Sequence, residues 1–185
     1  YKALAEQHDE YGILQIDAHC DLKKAYEGFK YSHASIMYNA LNEIPQIKTI
    51  TQVGVRDMSQ DEWEFIQNSN GRVIPYFDQD IKERQFGGDT FREIAAEIIN
   101  SLPQKVHISF DIDGLDPKLC PNTGTPVPGG FELDRMFYLF HEILKSGRKV
   151  IGFDLVEVGV GDTEWNANVG ARALFKLCNA LITSN

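Results

Sequence analysis

Cysteine is scarce: three among 185 residues, Cys20, Cys120 and Cys178, an odd total with no CxxC pair. That pattern supports neither a disulfide framework nor a zinc knuckle, and a reducing cytoplasm is the expected setting. No apolar run reaches the roughly 20 residues of a membrane-crossing helix, and the opening carries no signal-peptide pattern. The expectation is a soluble protein with no membrane partner. Basic blocks are missing too; 18 Lys and Arg against 27 Asp and Glu leave a formal charge of -9, which argues against a nucleic-acid partner. There is no internal repeat, low-complexity tract or Gly/Ser linker, so one domain over residues 1–185 is expected. An initiator Met is absent as well. The opening "YKALAEQHDEYG" reads as the tail of a helix running into a strand, so the chain is expected to be the C-terminal portion of a longer one.

What is present is an alternation. Apolar, β-rich runs fall at 12–16, 47–55, 73–77, 106–110 and 150–158, and helical stretches at about 35–43, 61–68, 90–102, 132–145 and 168–181. In "DTFREIAAEIINSLP", Phe91, Ile94, Ala95, Ile98 and Ile99 share a face, and Pro103 stops the helix. Such alternation predicts an α/β fold, a three-layer, doubly wound and mainly parallel sheet with helices on both faces. Gly and Pro gather at 121–130, "PNTGTPVPGG", as a rigid loop.

Parallel sheets bind ligands at the carboxyl ends of their strands, and several of those ends are acidic here. "DAHCD" places Asp17, His19 and Asp21 at alternate positions, so an extended backbone turns all three the same way. "SFDIDGLDP" repeats the pattern with Asp111 and Asp113, while Asp116 suits the turn into Pro117. A single strand-end Asp usually caps a turn. Two such clusters together point to metal, because unpaired carboxylates at close range repel and a divalent cation reverses that cost. The oxygen-rich donor set with imidazole suits Mn²⁺ or Mg²⁺. A metal pair makes a bridging water acidic enough to serve as hydroxide near neutrality. Glu157 follows the last strand and needs a cationic partner, either a substrate guanidinium or, in the plainer reading, a neighbouring Arg. His33 stands before a helix, where it suits proton transfer or is simply a surface residue. His8, His107 and His141 are read as surface residues.

Together "DAHCD", "SFDIDGLDPKLCPNTGTPVPGG" and "GFDLVE" resemble the ureohydrolase family of arginases and agmatinases, in order and over nearly the whole chain. The resemblance implies an arginase/deacetylase-like fold and two Mn²⁺ ions bridged by Asp17 and Asp111, one completed by His19 and Asp113, the other served by Asp21. It implies that hydroxide attacks the guanidinium carbon to release urea, with His33 as proton shuttle, Glu157 holding the guanidinium and Thr125 lining the pocket. It also implies a homotrimer or homohexamer. The family's upstream GGDH or GGEH segment, whose His completes the second ion, has no counterpart in these residues. A longer chain explains that best, and a non-catalytic member is the alternative.

For substrate, "VGVRDMSQDEW" has Ser59 where arginases carry a second Asp, and "LKKAYEGFKYS" lacks the arginase Asn- and Ser-rich loop. A decarboxylated guanidine such as agmatine moves ahead of arginine, with Glu27 as a candidate for its distal ammonium. The remaining amidine-hydrolase alternative, formiminoglutamate, needs a cation for its carboxylates, for which Lys23, Lys24, Lys30 and Arg56 are candidates. A two-metal phosphoesterase ranks low, for want of a phosphate-cradling glycine loop.

Overall fold

The computed structural model describes all residues 1–185. Five strands, β1 (Tyr11–Ile16), β2 (Ile47–Val53), β3 (Val73–Tyr76), β4 (Lys105–Asp111) and β5 (Lys149–Val156), form one parallel sheet in the order β3-β2-β1-β4-β5. Seven helices join them: α1 (Lys2–Ala5), α2 (Ile36–Glu43), α3 (Gln60–Gln67), α4 (Asp78–Phe86), α5 (Phe91–Ser101), α6 (Leu133–Lys145) and α7 (Trp165–Ser184).

Alternation along β1 makes the three layers. Leu14 and Ile16 pack with Ile94 and Ile98 of α5, Met136 and Leu139 of α6 and Ala173 of α7. Tyr11 and Ile13 pack with Met37 and Ala40 of α2 and Ile66 of α3 on the opposite face. A central parallel strand is thus buried on both faces, and every residue of β1 is buried. The strand order reverses between β1 and β4, because the chain winds from β1 outward to β2 and β3 and then returns to β4 on the other side. Such a switch point leaves a crevice beyond the strand ends, which is where ligands bind in doubly wound sheets.

The expected strands and helices are all present, with ends moved by a few residues. α5 starts at a capping box: the Thr90 hydroxyl accepts from the Glu93 amide, and the Glu93 carboxylate accepts from the Thr90 amide at 2.8 Å. α4 was not expected. Its sequence "DQDIKERQF" buries only Asp78 and Ile81, so it lacks the apolar stripe that announces a helix. No helix is long and apolar enough to cross a membrane.

Candidate functional site

β1 ends at Ile16 and β4 at Asp111, the two strands flanking the switch point, so Asp17 and Asp111 stand side by side at its crevice. One oxygen each from Asp17 and Asp113 and one nitrogen of His19 lie within 4.8 Å of one another. His19 Nδ1 is 3.1 Å from Asp113 Oδ2 and 3.5 Å from Asp17 Oδ1, while Nε2 faces Asp57 Oδ2 at 4.0 Å. Asp21 and Asp111 line the same cavity, of about 540 Å³, as do His33, Thr125 and Glu157. Eight of the nine residues singled out in the sequence therefore border one space. Glu27 does not: with φ +51° beside Gly28 it forms the tip of a two-residue turn closed by the paired Tyr26 and Phe29 backbones.

Hydrogen bonds fix each carboxylate. Asp17 Oδ1 accepts from the His19 amide at 2.7 Å and Oδ2 from the Gln15 amide group at 2.9 Å. Gln15 is held in turn by Gln52, whose Nε2 donates to Gln15 Oε1 at 2.6 Å and to the Cys20 carbonyl at 2.7 Å. Asp113 Oδ1 accepts from the Ala18 amide at 3.0 Å, and Asp111 Oδ1 from the Asp113 amide at 2.8 Å. Two residues with chemistry to do adopt left-handed backbone, Asp21 at φ +54° and Glu157 at φ +59°. Non-glycine residues rarely adopt that conformation, and it concentrates at functional sites.

The charges are mutually unfavourable without a cation. Burial, with added repulsion from neighbouring carboxylates, pushes Asp17, Asp21 and Asp111 above the usual carboxylate range. Burial acts on Asp113 in the same direction, but hydrogen bonds from His19 and the Ala18 amide outweigh it and hold Asp113 low. Hydrogen bonding to Asp113 and then to Asp17 raises His19 to about 10. A set of four carboxylates and one imidazole, with Asp17, Asp111 and Asp113 buried and Asp21 and His19 half-buried, has the chemistry of a hard divalent-cation site, and the donors present fit one. Asp17, His19 and Asp113 stand close enough together that they could hold one metal ion. A second cavity of about 510 Å³ shares Asp17, Asp21, Asp111, His33 and Glu157 with the first.

Glu157 is exposed rather than buried, because it follows the edge strand β5. It has no Arg within ion-pair range, so the plainer reading of an ordinary salt bridge fails. Gly124 explains how the "TGTP" loop comes so near: a Cβ there would lie 3.1 Å from Glu157 Oε2. His33 begins the short turn His33–Ser35 and packs edge-on against Tyr26, with ring centroids 5.4 Å apart.

Five residues depart from the sequence reading or are not legible in it. Arg56 is not free for a substrate carboxylate: its guanidinium donates to the carbonyls of Gly54, Asp113, Leu115 and Val127 at 2.7 to 3.2 Å. It ties the metal-binding turn to the Gly/Pro loop, and Gly130 at φ +89° makes room, since a Cβ there would lie 2.9 Å from Arg56 Nη2. Glu62 is buried, with Oε1 accepting from the Leu22 amide and Oε2 from the amide and hydroxyl of Ser59. His107 is buried rather than a surface residue, and it pairs with Asp154 at 2.7 Å. Gln15 and Gln52 are not legible in the sequence, because an amide within an apolar strand carries no signal of its partner. Asp116 behaves as expected, its Oδ1 accepting from the Lys118 amide at 3.0 Å.

The arginase family model matches residues 1–179. The chain is 34% identical over 158 residues to the N(1)-aminopropylagmatine ureohydrolase of Thermus thermophilus, covering 85% of this chain and 49% of that protein. It is 30% identical over 171 residues to human arginase-1, covering 83% and 52%. It thus spans about half the length of these curated relatives. Among solved structures, the proclavaminate amidino hydrolase from Streptomyces clavuligerus superposes with a TM-score of 0.81 at 25% identity, covering all of this chain and 59% of that one. With this match and the acidic switch-point crevice in agreement, the chain belongs to the arginase family.

Proposed function

We propose that the protein hydrolyses a guanidino C–N bond to release urea, using manganese. The observation that carries this is the joining of the Asp17–His19–Asp113 group to an unpaired Glu157 across one cavity. Asp17, His19, Asp113, Asp111 and Asp21 would hold two Mn²⁺ ions, the second needing a further ligand beyond these residues. Bound manganese supplies the positive charge that makes water nucleophilic near neutral pH. Glu157 receives the guanidinium through charge-assisted hydrogen bonds and aligns its carbon with the metal-binding end of the cavity. His33, exposed at the cavity wall, is placed to pass a proton to the leaving amine. Thr125 closes the wall beside Glu157.

The relatives' names support a ureohydrolase or amidinohydrolase reaction. The lack of an arginase-type head-group loop supports a substrate without an α-amino acid head, for which agmatine and guanidinobutyrate are the reference compounds. Glu27 no longer supports agmatine, since it stands outside the cavity. A cytoplasmic setting and a homotrimer or homohexamer belong to the same proposal, supported by family membership.

The test is urea release from agmatine, guanidinobutyrate, arginine and formiminoglutamate by the full-length, Mn²⁺-loaded protein, with formamide followed for the last. Glu157→Gln should lower kcat/KM by roughly 100-fold or more while manganese content stays unchanged. No turnover of any of the four would favour the non-catalytic alternative.

A further inference from the structure

Three charged side chains border the cavity besides the proposed metal ligands and Glu157: Lys23, Asp57 and Glu62. Glu62 is already engaged, and Asp57 lies on the Nε2 side of the His19 ring. Glu62 has both oxygens occupied by the Leu22 amide and by Ser59. Asp57 faces His19 Nε2 at 4.0 Å, beside the metal-binding group. Of the four cations considered as carboxylate receptors, Arg56 is consumed by carbonyls and Lys30 pairs with Glu43 at 2.7 Å. Lys24 is exposed and does not border the cavity, whereas Lys23 does.

Lys23 is also held in place. Its amide donates to the Ala34 carbonyl at 3.0 Å, which anchors it against the His33 turn. Its ammonium lies 4.7 Å from the centre of the Tyr26 ring, and that ring packs on His33. The Tyr26 backbone is fixed by the tight turn at Glu27 and Gly28. An aromatic face orients an ammonium without occupying its three hydrogen-bond donors, so the charge remains available to an anion.

We infer that Lys23 is a specificity-determining residue that receives an anionic group, a carboxylate, at the end of the substrate remote from the guanidinium. The inference rests on the guanidino-hydrolase reading and deepens it. The favoured substrate class is a guanidino acid on a short aliphatic arm, held by Glu157 at one end and Lys23 at the other. Agmatine, with an ammonium at its far end, meets like charge there.

The experiment compares guanidinobutyrate with agmatine, which differ chiefly in the charge of the distal group, on the full-length Mn²⁺-loaded protein. The expected kcat/KM ratio favours guanidinobutyrate by roughly tenfold, the worth of one partly desolvated charge pair, and it shrinks as salt is raised. Lys23→Gln should abolish that ratio mainly through KM for guanidinobutyrate, Lys23→Arg should retain most of it, and Lys24→Gln should leave it unchanged. Preference for agmatine in the wild type, or an equal loss on both substrates in Lys23→Gln, overturns the assignment. If neither compound yields urea, the hydrolase reading falls on its own. The same pair is then compared by calorimetric Kd on the Mn²⁺-loaded wild type and Lys23→Gln, and that ratio decides the role of Lys23 in the same way.

Discussion

Arg56 shows how much a single side chain contributes to this site without touching it. A guanidinium presents five donors in a rigid fork, and here they reach four carbonyls, including that of Asp113 at 2.7 Å. A lysine has three donors on one atom and cannot span the same set. Arg56→Lys should therefore cost about 1.5–3 kcal/mol of stability, read from the urea-denaturation midpoint, because buried carbonyls lose charged partners. Manganese affinity should fall with it, measured by competition with a chelator, since the Asp113 turn is no longer anchored to the Gly/Pro loop. In the sequence Arg56 looked like one more available cation. Only the convergence of backbone segments more than 50 positions apart reveals what it holds. The carboxylates were different: DxHxD and DxDxxDP at strand ends announce themselves, because alternate spacing on extended backbone is already half of the geometry.

Among the elements, β1 and β4 do most to place the site. They are adjacent and parallel, with Ile16 opposite Phe110, so the acidic residues that follow arrive at the same height. Phe110 is fully buried and packs edge-on against Phe140 of α6, with centroids 6.1 Å apart. Phe110→Ala should cost about 3–5 kcal/mol by chemical denaturation, the sum of lost transfer energy and a residual cavity. The same variant should loosen metal binding, since Asp111 is the next residue. Every strand was legible from its β-rich run, and five helices were legible from an apolar stripe. α4 was hidden because only one apolar side chain of its nine residues is buried, so the helix is set by its connection rather than by an amphipathic face.

The whole molecule couples its stability to metal and pH. His19 has its pKa raised to about 10 by Asp113 and Asp17, above its unfolded value near 6.5. Its contribution to metal-free stability is therefore complete below about pH 6.5 and lost as pH rises through about 10. Burial raises Asp17, Asp21 and Asp111, and their contribution likewise falls once pH passes the ordinary carboxylate range. In EDTA, Tm should decline from pH 6.5 toward 10. With manganese the sign inverts: the ligands must shed protons to bind, so affinity and the Tm increment should rise with pH from about 5 to 8. At a hundredfold excess over Kd the increment corresponds to about 2.7 kcal/mol. A Tm indifferent to manganese at pH 8 would contradict the metal assignment.

The sequence by itself determined the parallel α/β architecture, the two acidic strand ends and the family, because strand periodicity and motif spacing are local properties of the chain. Tertiary structure alone decided which charges are spent. Arg56, Glu62 and Lys30 have their partners and Glu27 does not border the cavity, while Lys23 and Glu157 remain open to it. A side chain's availability depends on which donors and acceptors the fold brings within about 3 Å, and neighbours distant in the chain set that distance.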